Sequence, residues 1–155
     1  MEALEANPTI TEIQWTGGEP LLATRKIEAF VDELKVIRPE LKHQLYTNGL
    51  KMRKSHLPLL KQFDNVYVSI DGFKSSERPF MRFIDEGCYE ALETIYELDN
   101  VQTWGVLTRD RLGDKRWHED IIQLHSAIYH YGFRAMTLLL DAKMPKPLSP
   151  DHVMN

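Results

Sequence analysis

An α/β fold with a parallel sheet is what this 155-residue sequence predicts, and three observations predict it. Short apolar, β-branched-rich stretches alternate with stretches of helical period, several of the former are apolar on both faces, and polar, often glycine-bearing turns join each pair. A helix between successive strands makes each crossover right-handed, so the strands lie side by side as a parallel sheet or part of a barrel. With 43% hydrophobic and 27% charged residues the chain has enough apolar surface for one domain with a core, and it is not disordered.

Taken in order, the first strand is expected over Thr9–Trp15, followed by the turn Thr16-Gly17-Gly18-Glu19-Pro20. A helix starting near Thr24 then turns Ile27, Phe30, Val31, Leu34 and Ile37 toward the core. The second strand, His43–Thr47, ends in Thr47-Asn48-Gly49, a good turn by chemistry alone because Asn and Gly tolerate left-handed dihedrals. Ser55–Phe63 reads as a short helix with Ser55 as N-cap, Pro58 in the first turn, and Leu57, Leu60 and Phe63 facing inward. The third strand, Asn65–Ile70, runs into Asp71-Gly72; the next helix buries Cys88, Ala91, Leu92 and Ile95. Val101–Leu107 is the fourth strand, Trp117, Ile121, Leu124 and Ile128 are the core face of the last helix, and Phe133–Leu140 is the fifth strand, ending at Asp141. Trp15 and Trp104 read as core, and Cys88 as a small buried hydrophobe. The domain is placed at 1–142, with the proline-rich 143–155 as a tail or linker.

Composition narrows the function. A net charge of −4 provides no broad cationic surface for nucleic acid. No apolar run approaches the roughly 20 residues of a membrane span, and the N-terminus lacks a signal-peptide core, so a cytoplasmic protein is expected. Cys88 is the only cysteine, which excludes an internal disulfide, a Cys-x-x-Cys zinc site and an iron–sulfur cluster ligated by this chain alone. His43, His56, His118, His125, His130 and His152 have no compact ligand spacing, so no metal site is expected.

In parallel α/β sheets ligands bind beyond the carboxyl ends of the strands, where the strand-to-helix loops gather. Adjacent glycines at 17 and 18 let main chain approach a ligand closely, Glu19 and nearby carbonyls offer acceptors to an ammonium group, and Pro20 biases Glu19 away from helical dihedrals. Standing alone, the same residues make an ordinary turn with Glu19 at a helix start.

Three motifs on successive strand ends do not stand alone. The strings "WTGGEPLL", "LYTNGL" and "VYVSIDG", with "GCYEALETI" downstream, resemble the radical S-adenosylmethionine (radical SAM) superfamily in order and spacing, from about Pro8 to Ala142. The resemblance implies a partial (β/α) barrel with parallel strands, corresponding to units 2 to 6 of a (β/α)6 barrel. It implies binding of the cofactor's methionine amine by Gly17, Gly18, Glu19 and Pro20, and contact of Ser69 and Asp71 with its ribose or carboxylate, although the last two also read as a strand end and a cap. Thr47 and Asn48 would line the same cavity, and Arg78 or Arg82 would match a cavity arginine.

The family holds a 4Fe-4S cluster on a Cys-x-x-x-Cys-x-x-Cys loop after its first strand, and no such loop occurs here. The expectation is a radical SAM-type core that binds S-adenosylmethionine and takes its cluster from a missing segment or a partner, not competent as this chain alone. The alternative is a non-catalytic, degenerate module acting through a nucleoside ligand or a partner protein. With the first unit absent, Thr9–Trp15 becomes a sheet edge whose unpaired groups invite a partner chain or a second copy.

Overall fold

The computed structural model describes residues 7–74 and 76–140. The expected tail at 143–155 and Asp141 lie outside the described residues.

Five strands form one parallel sheet in the order β1-β2-β3-β4-β5: β1 Glu12–Trp15, β2 Lys42–Thr47, β3 Asn65–Ser69, β4 Val101–Leu107 and β5 Ala135–Leu140. Pairings are in sequence order, with Trp15 opposite Leu45, Tyr46 opposite Tyr67, Ser69 opposite Trp104, and Trp104 opposite Thr137. Consecutive parallel neighbours joined by crossovers of one hand carry all connecting helices on the same side of the sheet. Those helices are α1 Thr24–Ile37, α2 Leu57–Leu60, α3 Arg82–Asp85, α4 Tyr89–Tyr96, α5 Arg109–Gly113 and α6 Trp117–His130.

The core lies between helices and sheet. Leu45, Val66, Val68 and Val101 from the strands meet Ile27, Val31, Leu60, Leu92, Ile95, Leu124 and Ile128 from the helices. The alternate strand positions, Gln44, Tyr46, Asn65, Tyr67, Ser69, Gln102, Trp104 and Val106, lie on the other face and are half-buried. Strands apolar on both faces were expected; the sheet instead has one dry face and one open face carrying amides and aromatics.

Several local expectations are corrected. β1 starts at Glu12 because Asn7 folds residues 7–10 into a turn: its Oδ1 accepts from the Thr9 N–H and hydroxyl, and its carbonyl accepts from Ile10 N–H. Ser55 caps nothing; Lys54–His56 is a 3-10 turn leading into α2, and neither has a side-chain cap. Phe30 and Ile37 are 52% and 41% exposed, since the buried stripe of α1 is only as wide as Ile27, Val31 and Leu34, although Phe30 still meets Trp15 edge-on. Cys88 is half-buried just before α4 instead of inside its buried face. Trp104 stands on the open face, packed against Tyr46 and Tyr67, outside the core.

Candidate functional site

The turn after β1 opens the rim of the sheet. Gly17 and Gly18 have φ of 96° and 31°, and a Cβ built on either would meet nothing within 4 Å. The left-handed dihedrals require glycine, and the open space above both leaves their main chain accessible. Glu19 is extended at φ −129°, ψ 105°, as expected before Pro20, and it caps the 3-10 turn Pro20–Leu22 that leads into α1.

The Glu19 carboxylate is engaged by its own chain. Oε1 accepts from Leu21 N–H at 3.0 Å and from the Thr47 hydroxyl at 2.6 Å, and Oε2 accepts from Asn48 N–H at 2.9 Å. Thr47 in turn accepts from Gly49 N–H at 3.0 Å, and Asn48 Oδ1 from Leu50 N–H at 2.9 Å. Glu19 is therefore a brace that ties the end of β1 to the end of β2.

A cleft of about 310 Å³ lies against this brace, lined by Thr16, Gly17, Gly18, Tyr46, Thr47, Asn48, Ser69 and Arg78. Five of the eight residues expected at the site meet here: Gly17, Gly18, Thr47, Asn48 and Ser69. Glu19 stands behind Thr47 and Asn48, and Pro20 is buried under the turn. Asp71 lines a neighbouring cleft of about 550 Å³, which shares Arg78 with the first. Asp71 accepts from Arg78 Nε at 2.8 Å, from Arg78 Nη2 at 2.7 Å and from Val106 N–H at 2.8 Å. Of the two arginines considered, Arg78 belongs to the rim, whereas Arg82 pairs with Glu86 one turn along α3.

Sequence reading missed the floor. Tyr46 and Tyr67 stack with centroids 4.8 Å apart, and the Trp104 ring stands edge-on to both at 5.7 and 5.4 Å. Below them Gln14 and Gln44 donate to Glu12, the Tyr46 hydroxyl donates to Gln44 Oε1, and Gln102 donates to Asn65. Burial, with the neighbouring Tyr67 and Glu12 acting the same way on Tyr46 and Glu12 on Tyr67, pushes both phenol pKa values up. The signal was the polar or aromatic residue at alternate positions of β2, β3 and β4, from Lys42 to Tyr46, Asn65 to Ser69 and Gln102 to Trp104, with Val106 the exception.

No family model and no curated protein matches the chain. Solved structures do match it. Polyhistidine-tagged anSMEcpe with bound AdoMet superposes at a TM-score of 0.60 and 16% identity, over 91% of this chain and 42% of that one. Native anSMEcpe with bound AdoMet and Kp18Cys peptide gives 0.58 and 18%, over the same shares of the two chains. The chain has the fold of a partial radical SAM barrel. It spans about two fifths of the length of those proteins.

Against that radical SAM barrel the two groups expected of it fare differently. The open space over Gly17 and Gly18, in a cleft also lined by the polar residues Asn48, Ser69 and Arg78, fits the zwitterionic methionine end of a ligand such as S-adenosylmethionine. An iron–sulfur cluster does not fit: Cys88 is the only cysteine and packs partly against the core. Among the described residues no group of three or more His, Cys, Asp or Glu side chains could hold a metal ion. No described helix is long and apolar enough to cross a membrane.

Proposed function

We propose that this chain is the S-adenosylmethionine-binding part of a radical SAM-type enzyme whose cluster-bearing segment comes from elsewhere. The observation that supports it most is the rim cleft, where left-handed glycines with open space above them face Asn48, Ser69 and Arg78 across one small opening. In this reading the carbonyls around Gly17 and Gly18 accept from the ligand's ammonium group. The Ser69 hydroxyl meets the ribose or the carboxylate, and the Arg78 guanidinium pairs with the carboxylate, the charge-assisted contact that arginine geometry favours. Thr47 and Asn48 wall the cleft and are held there by Glu19, while Asp71 orients Arg78. Tyr46 forms the lower wall. S-adenosylmethionine held by these residues would supply the radical chemistry of the family that the sequence resembles.

The cluster-bearing segment or partner docks at β1, which among the described residues pairs with β2 alone. A cytoplasmic setting is part of the same reading. A second reading, a non-catalytic module holding a nucleoside ligand or a partner protein, is favoured by the single cysteine.

Calorimetric titration of the chain with S-adenosylmethionine tests the cofactor role. Binding should weaken about tenfold or more in Arg78→Ala and in Gly18→Val, a loss of about 1.4 kcal/mol or more. Tyr129→Ala, at an exposed position on the outer helix α6, should bind as the unaltered chain does. Absence of heat from the unaltered chain overturns the reading.

A further inference from the structure

Arg78 reaches the rim on a loop, and what fixes that loop lies in the following βα unit. The loop closes on itself through Asp71 N–H to the Arg78 carbonyl, Phe80 N–H to the Gly72 carbonyl and Met81 N–H to the Phe73 carbonyl, at 2.9, 2.7 and 3.0 Å. Its first residues are held from outside. Asp120, in the first turn of α6, accepts from Phe73 N–H at 2.9 Å and from Lys74 N–H at 2.8 Å, and it pairs with the Arg111 guanidinium from α5. Arg111 also donates to the Asp71 carbonyl, so one side chain grips both the loop's starting residue and its clamp.

Gly72 makes this contact feasible, because a Cβ there would occupy the space of the Arg111 guanidinium. The Arg111 and Asp120 side chains are 7% and 10% exposed, so the pair is desolvated. A buried ion pair is poor at raising stability compared with apolar residues of the same volume. The bonds of this one are aimed at the main chain of residues 71, 73 and 74, which is what positioning requires.

We infer that Arg111 and Asp120 are positioning residues for the rim cleft, holding the 72–80 loop so that Arg78 faces the ligand although neither lines the cleft with Gly17 and Gly18. The inference rests on the reading of that cleft as an S-adenosylmethionine site.

Asp120→Asn and Gly72→Ala test it in the full chain, each made with Arg78 present and with Arg78→Ala. With Arg78 present, each should weaken S-adenosylmethionine binding about tenfold; in the Arg78→Ala background, by less than about twofold, because the coupling runs through that guanidinium. The thermal midpoint should fall equally in both backgrounds. Equal weakening of binding in both backgrounds overturns the inference, and so does no weakening with Arg78 present. Amide exchange provides a readout that needs no ligand. Asp120→Asn should speed exchange at Phe73, Phe80 and Met81 about tenfold or more while leaving β1 and β2 unchanged, and unchanged exchange in the loop overturns the clamp. If the unaltered chain gives no binding heat, the cofactor reading fails, and the exchange result still decides whether Asp120 holds the loop.

Discussion

Glu19 receives three hydrogen bonds, one from Leu21 two residues on and two from Thr47 and Asn48, 28 and 29 residues away, and this defines its part in the molecule. Glu19→Ala strands the N–H groups of Leu21 and Asn48 and the Thr47 hydroxyl in a half-buried turn. A donor left fully buried without its charged acceptor costs on the order of 1–3 kcal/mol; Glu19 itself is only half-buried, so water replaces part of the loss and urea unfolding should show a decrease of roughly 2–4 kcal/mol in total. A loss below about 0.5 kcal/mol, as for an ordinary surface change, would contradict the brace. His43 supports a second residue-scale expectation. It is 1% exposed, accepts from Trp15 Nε1–H at 3.2 Å, and burial holds its pKa below 6.5, with Lys35 acting the same way and Asp64 opposing. Burial likewise lowers His56. Below 6.5 the unfolded chain therefore binds more protons than the folded one, and stability falls as pH drops through that range. Thermal midpoints from about pH 7 to 5 should fall less steeply in His43→Gln than in the parent; equal slopes would refute the assignment.

At the scale of elements, all five strands and the start of α1 at Thr24 were legible because short apolar runs between helical periods have few other solutions. Which face of each strand is dry was not. Tyr46, Tyr67 and Trp104 score as apolar in a linear reading unless their alternation with Gln44, Asn65, Ser69 and Gln102 is weighed, and the register that sets Tyr46 beside Tyr67 and Ser69 beside Trp104 then gathers them into one cluster on the open side. Local turn chemistry made the lining of the rim cleft partly legible: Gly17, Gly18, Thr47, Asn48 and Ser69 come together there. Leu21 and Arg78 engage Glu19 and Asp71 from 2 and 7 residues away, whereas Thr47, Asn48 and Val106 reach them from 28 to 35 residues away and leave no local trace. Gly105 is another such case. In mid-strand it reads as a weak point, yet a Cβ there would collide with the Ile70 carbonyl and come within 2.8 Å of Leu138 Cδ2. Gly105→Ala should destabilise by about 1–3 kcal/mol through overpacking, measured by denaturant midpoint; an unchanged midpoint would mean that β3 does not cross so close to β4.

The whole molecule is a parallel sheet with helices on one side, an aromatic and amide-lined face on the other, and an edge strand at each end. Among the described residues β3 is flanked by β2 and β4, whereas β1 and β5 each have one neighbour. Amide exchange should accordingly persist longest in β3 and be lost first from β1. If a second copy or a partner covers Glu12–Trp15, protection there should rise with protein or partner concentration; a monomer with rapid exchange across β1 at every concentration would leave that edge uncovered. The central claim concerns the rim where three strand ends meet, and the most direct test is an amide-resolved NMR titration of the labelled chain with S-adenosylmethionine. Shifts concentrated at Gly17, Gly18, Asn48 and Ser69 and at the Arg78 side-chain Nε–H are expected. No shifts, or shifts centred on the outer groove formed by Tyr89, Tyr96 and Tyr131, would contradict it.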